Sequence, residues 1–263
     1  MSFFTVNDLS VSYGKQEILS HLSLDAADSQ TIAILGANGS GKTTLLKAIC
    51  GILSHTGTCT LEDIVLEKKS PKELAKLCSY IPQRSGISID ISTLDTVLMG
   101  YYPHLGMLEH PSIGMKEQAI ELIRMVGLAG KENVNYLHLS EGQKQLCILA
   151  RTLITNSKLL LLDEPESALD FHYRYKMLKL IKDWNKNNHS SALVSLHDPM
   201  LALNTCDCLL LLSDGVIHAT IYPQTDSLSS MEEKLCHLYG DISLQYCTNK
   251  HGQKQIVMLG ETF

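Results

Sequence analysis

The chain has 263 residues, 44% of them hydrophobic, which suits one large domain or a domain with an attached lobe. Its net charge of −6 argues against a surface built to coat nucleic acid. No apolar run approaches the roughly 18 residues that span a bilayer, and the start, MSFFTVNDLSVSYG, lacks the basic and apolar regions of a signal peptide, so a soluble cytoplasmic chain is expected.

In chain order, FFTVNDLSVSY and EILSHLSLDA are β-rich runs flanking Gly14 and Lys15. TIAIL (31–35) is a short apolar run that stops at Gly36, and GKTTLLKAICGIL then takes up helical spacing. Residues 54–81 hold a short strand-rich piece, a brief helix in SPKELAKL with Ser70 as cap and Pro71 at its first position, and a strand end in CSYIPQ. From about 84 to 155 the pattern is helical. LDTVLMGYY and MKEQAIELIRMVGL both read as helices, the second with Ala119, Leu122, Ile123 and Val126 on one face. A third helix opens at Ser140, where Gln143 three residues later completes a capping box. The α/β alternation then resumes: KLLLLDEP as a buried strand, 170–187 as a helix, SALVSLHD as a strand, PMLALNTC as a short helix, and CLLLLSDGVIHAT as a hairpin turning on Asp214-Gly215. The tail, 223–263, has a short helix around 228–238 and two candidate strands.

The 8 cysteines include no C-x-x-C pair, and Cys206 and Cys208 have no second pair at zinc-site spacing. They are expected to be reduced and mostly buried. The 11 histidines show no helical H-x-x-x-H pair, so spacing supports no structural metal site.

GANGSGKT (36–43) fits G-x-x-x-x-G-K-[ST], with a strand before it and a helix after. Glycines let backbone N–H groups turn toward phosphates. Lys42 offers a cation to the β- and γ-phosphates, and Thr43 a hydroxyl to Mg²⁺. LLLLDEP (159–165) delivers Asp163 and Glu164 at the carboxyl end of a buried strand, where ligands collect in open α/β sheets. Asp163 suits the metal's water shell, and Glu164 suits polarising an attacking water. His197 follows the strand ALVSL and is expected on the same sheet edge, bonded to the γ-phosphate or to that water.

Together these motifs, in this order and along nearly the whole chain, resemble the ATP-binding-cassette (ABC) ATPases. GANGSGKT resembles the Walker A motif, Gln83 in YIPQ the Q-loop, LSEGQ the LSGGQ signature, LLLLDEP Walker B, SALD (167–170) the D-loop, and His197 the switch histidine. Tyr13 matches the aromatic that stacks on adenine. The resemblance implies a P-loop NTPase of α/β class, with a RecA-like core, an N-terminal antiparallel β subdomain and an inserted α-helical lobe. Its divisions are an ATPase domain over 1–222, the lobe at about 84–155 within it, and an extension over 223–263. It implies ATP and Mg²⁺ as ligands. Gly36, Ala37, Asn38, Gly39, Ser40, Gly41, Lys42, Thr43 and Thr44 form the cradle, Thr43, Gln83 and Asp163 hold the metal, and Glu164, His197 and Gln83 are catalytic. It also answers why a second phosphate-suited helix start exists at Ser140. Two subunits pair head to tail, so Ser140, Gly142 and Gln143 reach the partner's ATP, with Asp170 at the interface.

The sequence departs from the pattern at Glu141, where the signature usually has glycine, and at Glu166, which replaces the usual threonine before SALD. A carboxylate facing a triphosphate is unfavourable, so Glu141 is expected to point to solvent or to a neighbouring cation. Lys144 and Leu146 stand where arginines are more usual, while Arg151 keeps the pattern. No membrane span, second cassette or long heptad insertion accompanies the motifs, which leaves the separate ATPase subunit of a membrane transporter, peripheral at the cytoplasmic face of the cell membrane. TLDTVLMGYYPHLGML (93–108) resembles the bacterial importer branch for iron chelates, haem and cobalamin, where this region reads close to DVVLMGRYPHLG. That branch implies permease subunits docking near 84–110, with Tyr101, Tyr102, His104 and Leu105 as candidate contacts, a separate substrate-binding protein, and no nucleic acid. Zinc, manganese and molybdate importers share part of the pattern. A cassette that moves a soluble partner instead of a transporter, or one that binds ATP without turning it over, would also carry most of these motifs, although intact Glu164 and His197 argue against the second.

Overall fold

A computed structural model describes residues 2–83, 86–106 and 108–261. Strands β1 (Phe4–Tyr13) and β2 (Gln16–Ala26) form an antiparallel hairpin. β3 (Thr31–Leu35) feeds the glycine loop and helix α1 (Lys42–Ile49). β4 (Thr56–Leu61) and the two-residue β5 (Ile64–Val65) precede a 3₁₀ turn at Leu66–Lys68. Helix α2 (Pro71–Leu77) starts at a full Ser70–Glu73 capping box and leads into β6 (Cys78–Ile81). Three helices follow: α3 (Thr93–Leu98), which runs on into a 3₁₀ turn at Met99–Tyr101, α4 (Ile113–Met125) and α5 (Glu141–Ile154). The chain then alternates through β7 (Leu159–Asp163), α6 (Phe171–Asn188), β8 (Ser191–Ser195), α7 (Pro199–Thr205), β9 (Cys208–Ser213) and β10 (Val216–Ile221). It ends with α8 (Leu228–Tyr239) and the antiparallel pair β11 (Ile242–Thr248) and β12 (Lys254–Gly260).

The central sheet has the order β10-β9-β3-β8-β7-β6, parallel except for β10, which returns antiparallel on β9. Strands β3, β7 and β8 are buried at every position, as continuous apolar runs require when both sheet faces are covered. Their side chains alternate between two cores. Ala33, Leu35, Leu160, Leu162, Ala192 and Val194 face the helices α3–α7 and the tail. Ile32, Ile34, Leu159, Leu161 and Leu193 face α1 and the second sheet, β2-β1-β4-β5.

The tail packs on the first core through Met231, Leu235, Ile242, Leu244 and Ile256. The Asn204 side chain at the end of α7 both donates to the Ile256 carbonyl (2.8 Å) and accepts from the Ile256 N–H (2.8 Å), acting as a surrogate strand partner for β12. The expected helices and strands are present. The helix expected at 170–187 runs from Phe171 because Asp170 is its cap, accepting from Tyr173 N–H at 3.2 Å.

Leu161 is fully buried in the middle of β7, so Leu161→Ala is expected to cost about 2–5 kcal/mol of stability. Denaturant unfolding measures this. A loss below ~1 kcal/mol would mean that the core beneath β7 closes around the cavity.

Candidate functional site

The turn from β3 into α1 is built for close backbone approach. A Cβ on Gly36 would sit 2.2 Å from the Leu212 carbonyl oxygen of β9, and Gly41 has φ +107°. Gly41 caps α1 with no side-chain bond, so the first-turn N–H groups have no capping side chain and are available to an anion. Ser40 Oγ is buried in the same loop without a protein partner. Lys42 lies beneath it, 5% exposed, its Nζ donating to the carbonyls of Gly36 (2.7 Å) and Ala37 (3.0 Å). Burial lowers the Lys42 pKa, and the carboxylates of Glu164 and Asp163 oppose that shift. Incoming phosphate oxygens would compete with the two carbonyls for the ammonium.

The acidic end of β7 is held from both sides. Asp163 is paired in register with Ser195 of β8, whose hydroxyl donates to Asp163 Oδ1 at 2.8 Å. The same Ser195 Oγ accepts the Glu164 N–H at 2.9 Å. From β6, Tyr80 donates to Asp163 Oδ2 at 3.3 Å. Glu164 sits in the left-handed region, φ 48°, which turns its side chain off the strand line. Its carboxylate takes one donor on each oxygen: His197 Nε2 on Oε1 at 2.5 Å, and Gln83 Nε2 on Oε2 at 2.5 Å. Ser195 and Tyr80 carry no motif that marks them in the sequence. The register of β7 with β8 carries Ser195, but register is not visible before the strands are paired.

Tyr13, Asn38, Gly39, Gly41, Lys42, Thr43, Thr44, Gln83, Glu164 and His197 line one cavity of about 520 Å³, with Ile18 as an additional wall. Tyr13 is half exposed at its rim. The expected signature residues are elsewhere. Ser140, Gly142, Gln143 and Asp170 line a separate cavity that shares no residue with the first. Ser140 and Gln143 form the expected capping box at the start of α5. Glu141 also lines that cavity, and its carboxylate pairs with Lys144 at 2.7 Å, the neighbouring cation expected for it.

The docking candidates divide. Tyr101 and Leu105 are each only 8% exposed, and the Tyr101 hydroxyl is committed to Gln118 at 2.5 Å. His104 Nε2 is bonded to the Thr155 carbonyl at 2.9 Å. Tyr101 and Leu105 brace the lobe, and their expected role as contacts is corrected, whereas His104 stays at the surface. Tyr102 and His104 are exposed, and Tyr102 lies beside a groove lined by Tyr80, Met99, Pro103 and Arg151.

Residues 19–167 match the ABC transporter family, more than half of the chain. The chain belongs to that family. A probable iron chelatin transport ATP-binding protein of Helicobacter pylori is 36% identical over 80% of this chain and 83% of its own length. The hemin import ATP-binding protein HmuV of Deinococcus radiodurans is 35% identical over 223 residues, 83% of this chain and 84% of that protein. Among solved structures, a metal-chelate type ABC transporter in an inward-facing conformation superposes with a TM-score of 0.81 at 25% identity, covering 99% of both chains. A dimeric bacterial ABC transporter cassette superposes at 0.75 and 23% identity over 84% of this chain and 98% of that one, which supports the fold. The chain is therefore an ATPase cassette of α/β class with an antiparallel β subdomain.

In this ABC cassette Glu166 is 3% exposed, and its Oε2 has no hydrogen-bond partner. Burial raises its pKa from 4.5 to about 7, with the Glu164 carboxylate adding to the shift. The folded chain holds this proton more tightly than the unfolded chain. The stability that the carboxyl contributes is thus full below pH 4.5 and is lost as pH rises through about 7. Glu166→Gln should therefore gain on the native protein between pH 5 and pH 8, by on the order of 2–3 kcal/mol. Thermal melts across that range measure the difference, and a pH-independent gap would mean that Glu166 does not titrate there.

Proposed function

We propose that this cassette is the ATPase subunit of a bacterial-type importer for iron–siderophore or related metal-chelate cargo (haem, cobalamin), working as an ATP-sandwich dimer at the cytoplasmic face of the membrane. The observation that carries the catalytic part is the Glu164 carboxylate, held by His197 and Gln83 across one cavity from Lys42. The relatives' names support the cargo. Among the described residues no helix is long and apolar enough to cross a membrane, so transport requires separate permease subunits. The exposed Tyr102, within 84–110, and the groove beside it suit their docking. The lobe at about 84–155 then carries that contact, 223–263 is an extension braced by Asn204, and a separate binding protein selects cargo. Nucleic acid has no part in this scheme.

Tyr13 offers its ring to adenine at the rim. Lys42 exchanges its two carbonyl acceptors for β- and γ-phosphate oxygens, joined by the N–H groups of Gly36–Thr44. Thr43, Asp163 and the Gln83 amide oxygen form a set of hard oxygen donors that suits Mg²⁺, which when bound neutralises phosphate charge. Gln83 now donates to Glu164 through its nitrogen, which leaves the amide oxygen as an acceptor. Glu164 accepts a proton from water as the water attacks the γ-phosphorus and the bond to the ADP oxygen breaks. His197 holds the carboxylate on one side and can pass to the γ-phosphate. Ser140, Gly142 and Gln143 of a second copy complete the cover, with Asp170 across the interface. Interactions made only in the closed pair shift the population toward closure, and hydrolysis removes them.

Glu164→Gln is expected to lower ATP turnover by about a hundredfold or more while ATP binding persists. Phosphate release should be measured with the membrane partner present, and near-native turnover would remove Glu164 from the role of base. Cargo is tested by deleting the gene and measuring uptake of labelled ferric siderophores, haem, cobalamin, molybdate, zinc and manganese. Native protein should restore one chelate and Lys42→Ala should not. Loss of molybdate, zinc or manganese uptake instead reassigns the cargo, and no loss at all points to a non-transport partner.

A further inference from the structure

Among the described residues, a cluster of metal-ligating side chains lies outside the nucleotide cavity: His55, Cys59 and Glu67. His55 precedes β4, Cys59 is in the middle of β4, and Glu67 is in the 3₁₀ turn after β5. The intervals of four and eight residues match no familiar zinc spacing, so sequence alone does not predict the cluster. The fold of β4 onto β5 creates it.

His55 and Cys59 point inward, and Glu67 lies at the exposed side. The His55 side chain is 7% exposed and that of Glu67 30%. Cys59 is fully buried. The ligand atoms all lie within 4.8 Å of one another. His55 Nδ1 lies 3.0 Å from the Thr56 carbonyl oxygen. A carbonyl can only accept, so Nδ1 carries the proton. Nε2 is thereby turned toward Glu67 Oε1, 3.5 Å away. In the neutral ring that nitrogen presents a lone pair to a carboxylate oxygen. Two acceptors face each other, and a cation between them, either a second ring proton or a metal ion, removes the conflict. A ring whose other nitrogen is anchored to a backbone carbonyl is the usual support of a metal-bound histidine. Glu67 is likewise held, its Oε1 accepting the Cys59 N–H at 2.6 Å.

We propose that His55, Cys59 and Glu67 form a binding site for Zn²⁺ or a similar borderline-soft divalent ion, on the antiparallel β subdomain and independent of the ATP site. Sulfur, imidazole and one carboxylate select such an ion over Mg²⁺ or Ca²⁺. Tetrahedral zinc with bonds of about 2.0–2.3 Å separates its ligands by about 3.3–3.7 Å. The His55–Glu67 edge already has that length. Closure then requires only that the Cys59 sulfur settle against the other two. The exposed flank of Glu67 supplies the entry path, and a water can take the fourth position. Binding must displace the Cys59 thiol proton, because the thiolate is the ligand. The bound ion would tie β4, the central partner of β1, to the turn that follows β5.

The test is Co²⁺ titration of untagged, fully reduced, metal-free protein, followed by absorption. The nucleotide cavity has no cysteine in its lining, so thiolate-to-cobalt charge transfer does not arise there, and the Cys59 variant separates this cluster from the other cysteines. One Co²⁺ per chain is expected, with a near-ultraviolet charge-transfer band, the visible bands of a four-coordinate ion, and displacement by Zn²⁺. Cys59→Ser should abolish the charge-transfer band. His55→Gln and Glu67→Gln should weaken affinity at least tenfold, and Cys247→Ser, at an exposed thiol, should change nothing. Absence of the band in the native chain, or its survival in Cys59→Ser, would leave the trio as an ion pair and hydrogen-bond cluster only. If Cys59→Ser fails to fold, His55→Gln and Glu67→Gln decide, because unchanged affinity in both overturns the site.

Discussion

Everything at the nucleotide cavity depends on one constraint: four adjacent parallel strands end at the same edge of a sheet buried on both faces. β3, β8, β7 and β6 are neighbours, and each delivers one part of the site in the loop that follows it. β3 gives the phosphate loop, β8 His197, β7 the acidic pair, and β6 Gln83. The lateral hydrogen bonds fix these loops relative to one another far more tightly than their sequence separations suggest. The Ser195 hydroxyl adds a cross-link at the last rung, bonded at once to Asp163 and to the Glu164 backbone. A displacement of β8 therefore carries His197 and Glu164 together.

Much of this was legible from residue pattern because the pattern is itself a consequence of burial. TIAIL, SALVS and the LLLL of β7 are apolar or small throughout because no face of those strands meets water. Ser70 and Ser140 announced their helices because capping is a local interaction. What stayed hidden was whatever depends on register or on packing between distant segments. Ser195 and Tyr80 hold Asp163 through pairings across β6, β7 and β8. Tyr101 and Leu105 carry the composition of a contact surface, but the tight approach of the Met99–Tyr101 turn to α5 points them inward. A Cβ on Gly100 would meet the Arg151 carbonyl oxygen at 2.2 Å, which shows how close that approach is. His55, Cys59 and Glu67 converge only because β4 turns back on β5.

The two departures from the signature and Walker B surroundings have different physical characters. Glu141 is a solvent-exposed carboxylate in the first turn of α5 whose charge is paired with Lys144, an arrangement of small energetic weight. Glu166 is a buried acid close to the Glu164 carboxylate, and there a single proton changes the local charge. The first is a surface accommodation. The second couples the electrostatics of the site to its surroundings.

The capping box at Ser140 has a further meaning. Within it both side chains act as acceptors, Ser140 Oγ toward Gln143 N–H and Gln143 Oε1 toward Ser140 N–H. A hydroxyl and a primary amide can each accept and donate at the same time. The box thus locks two rotamers while leaving the serine O–H and the glutamine NH₂ to donate outward. The conformational freedom that an anion would otherwise have to remove is already gone before any second molecule arrives. The fold itself has performed that part of the ordering, and association at this surface starts from a smaller entropic deficit.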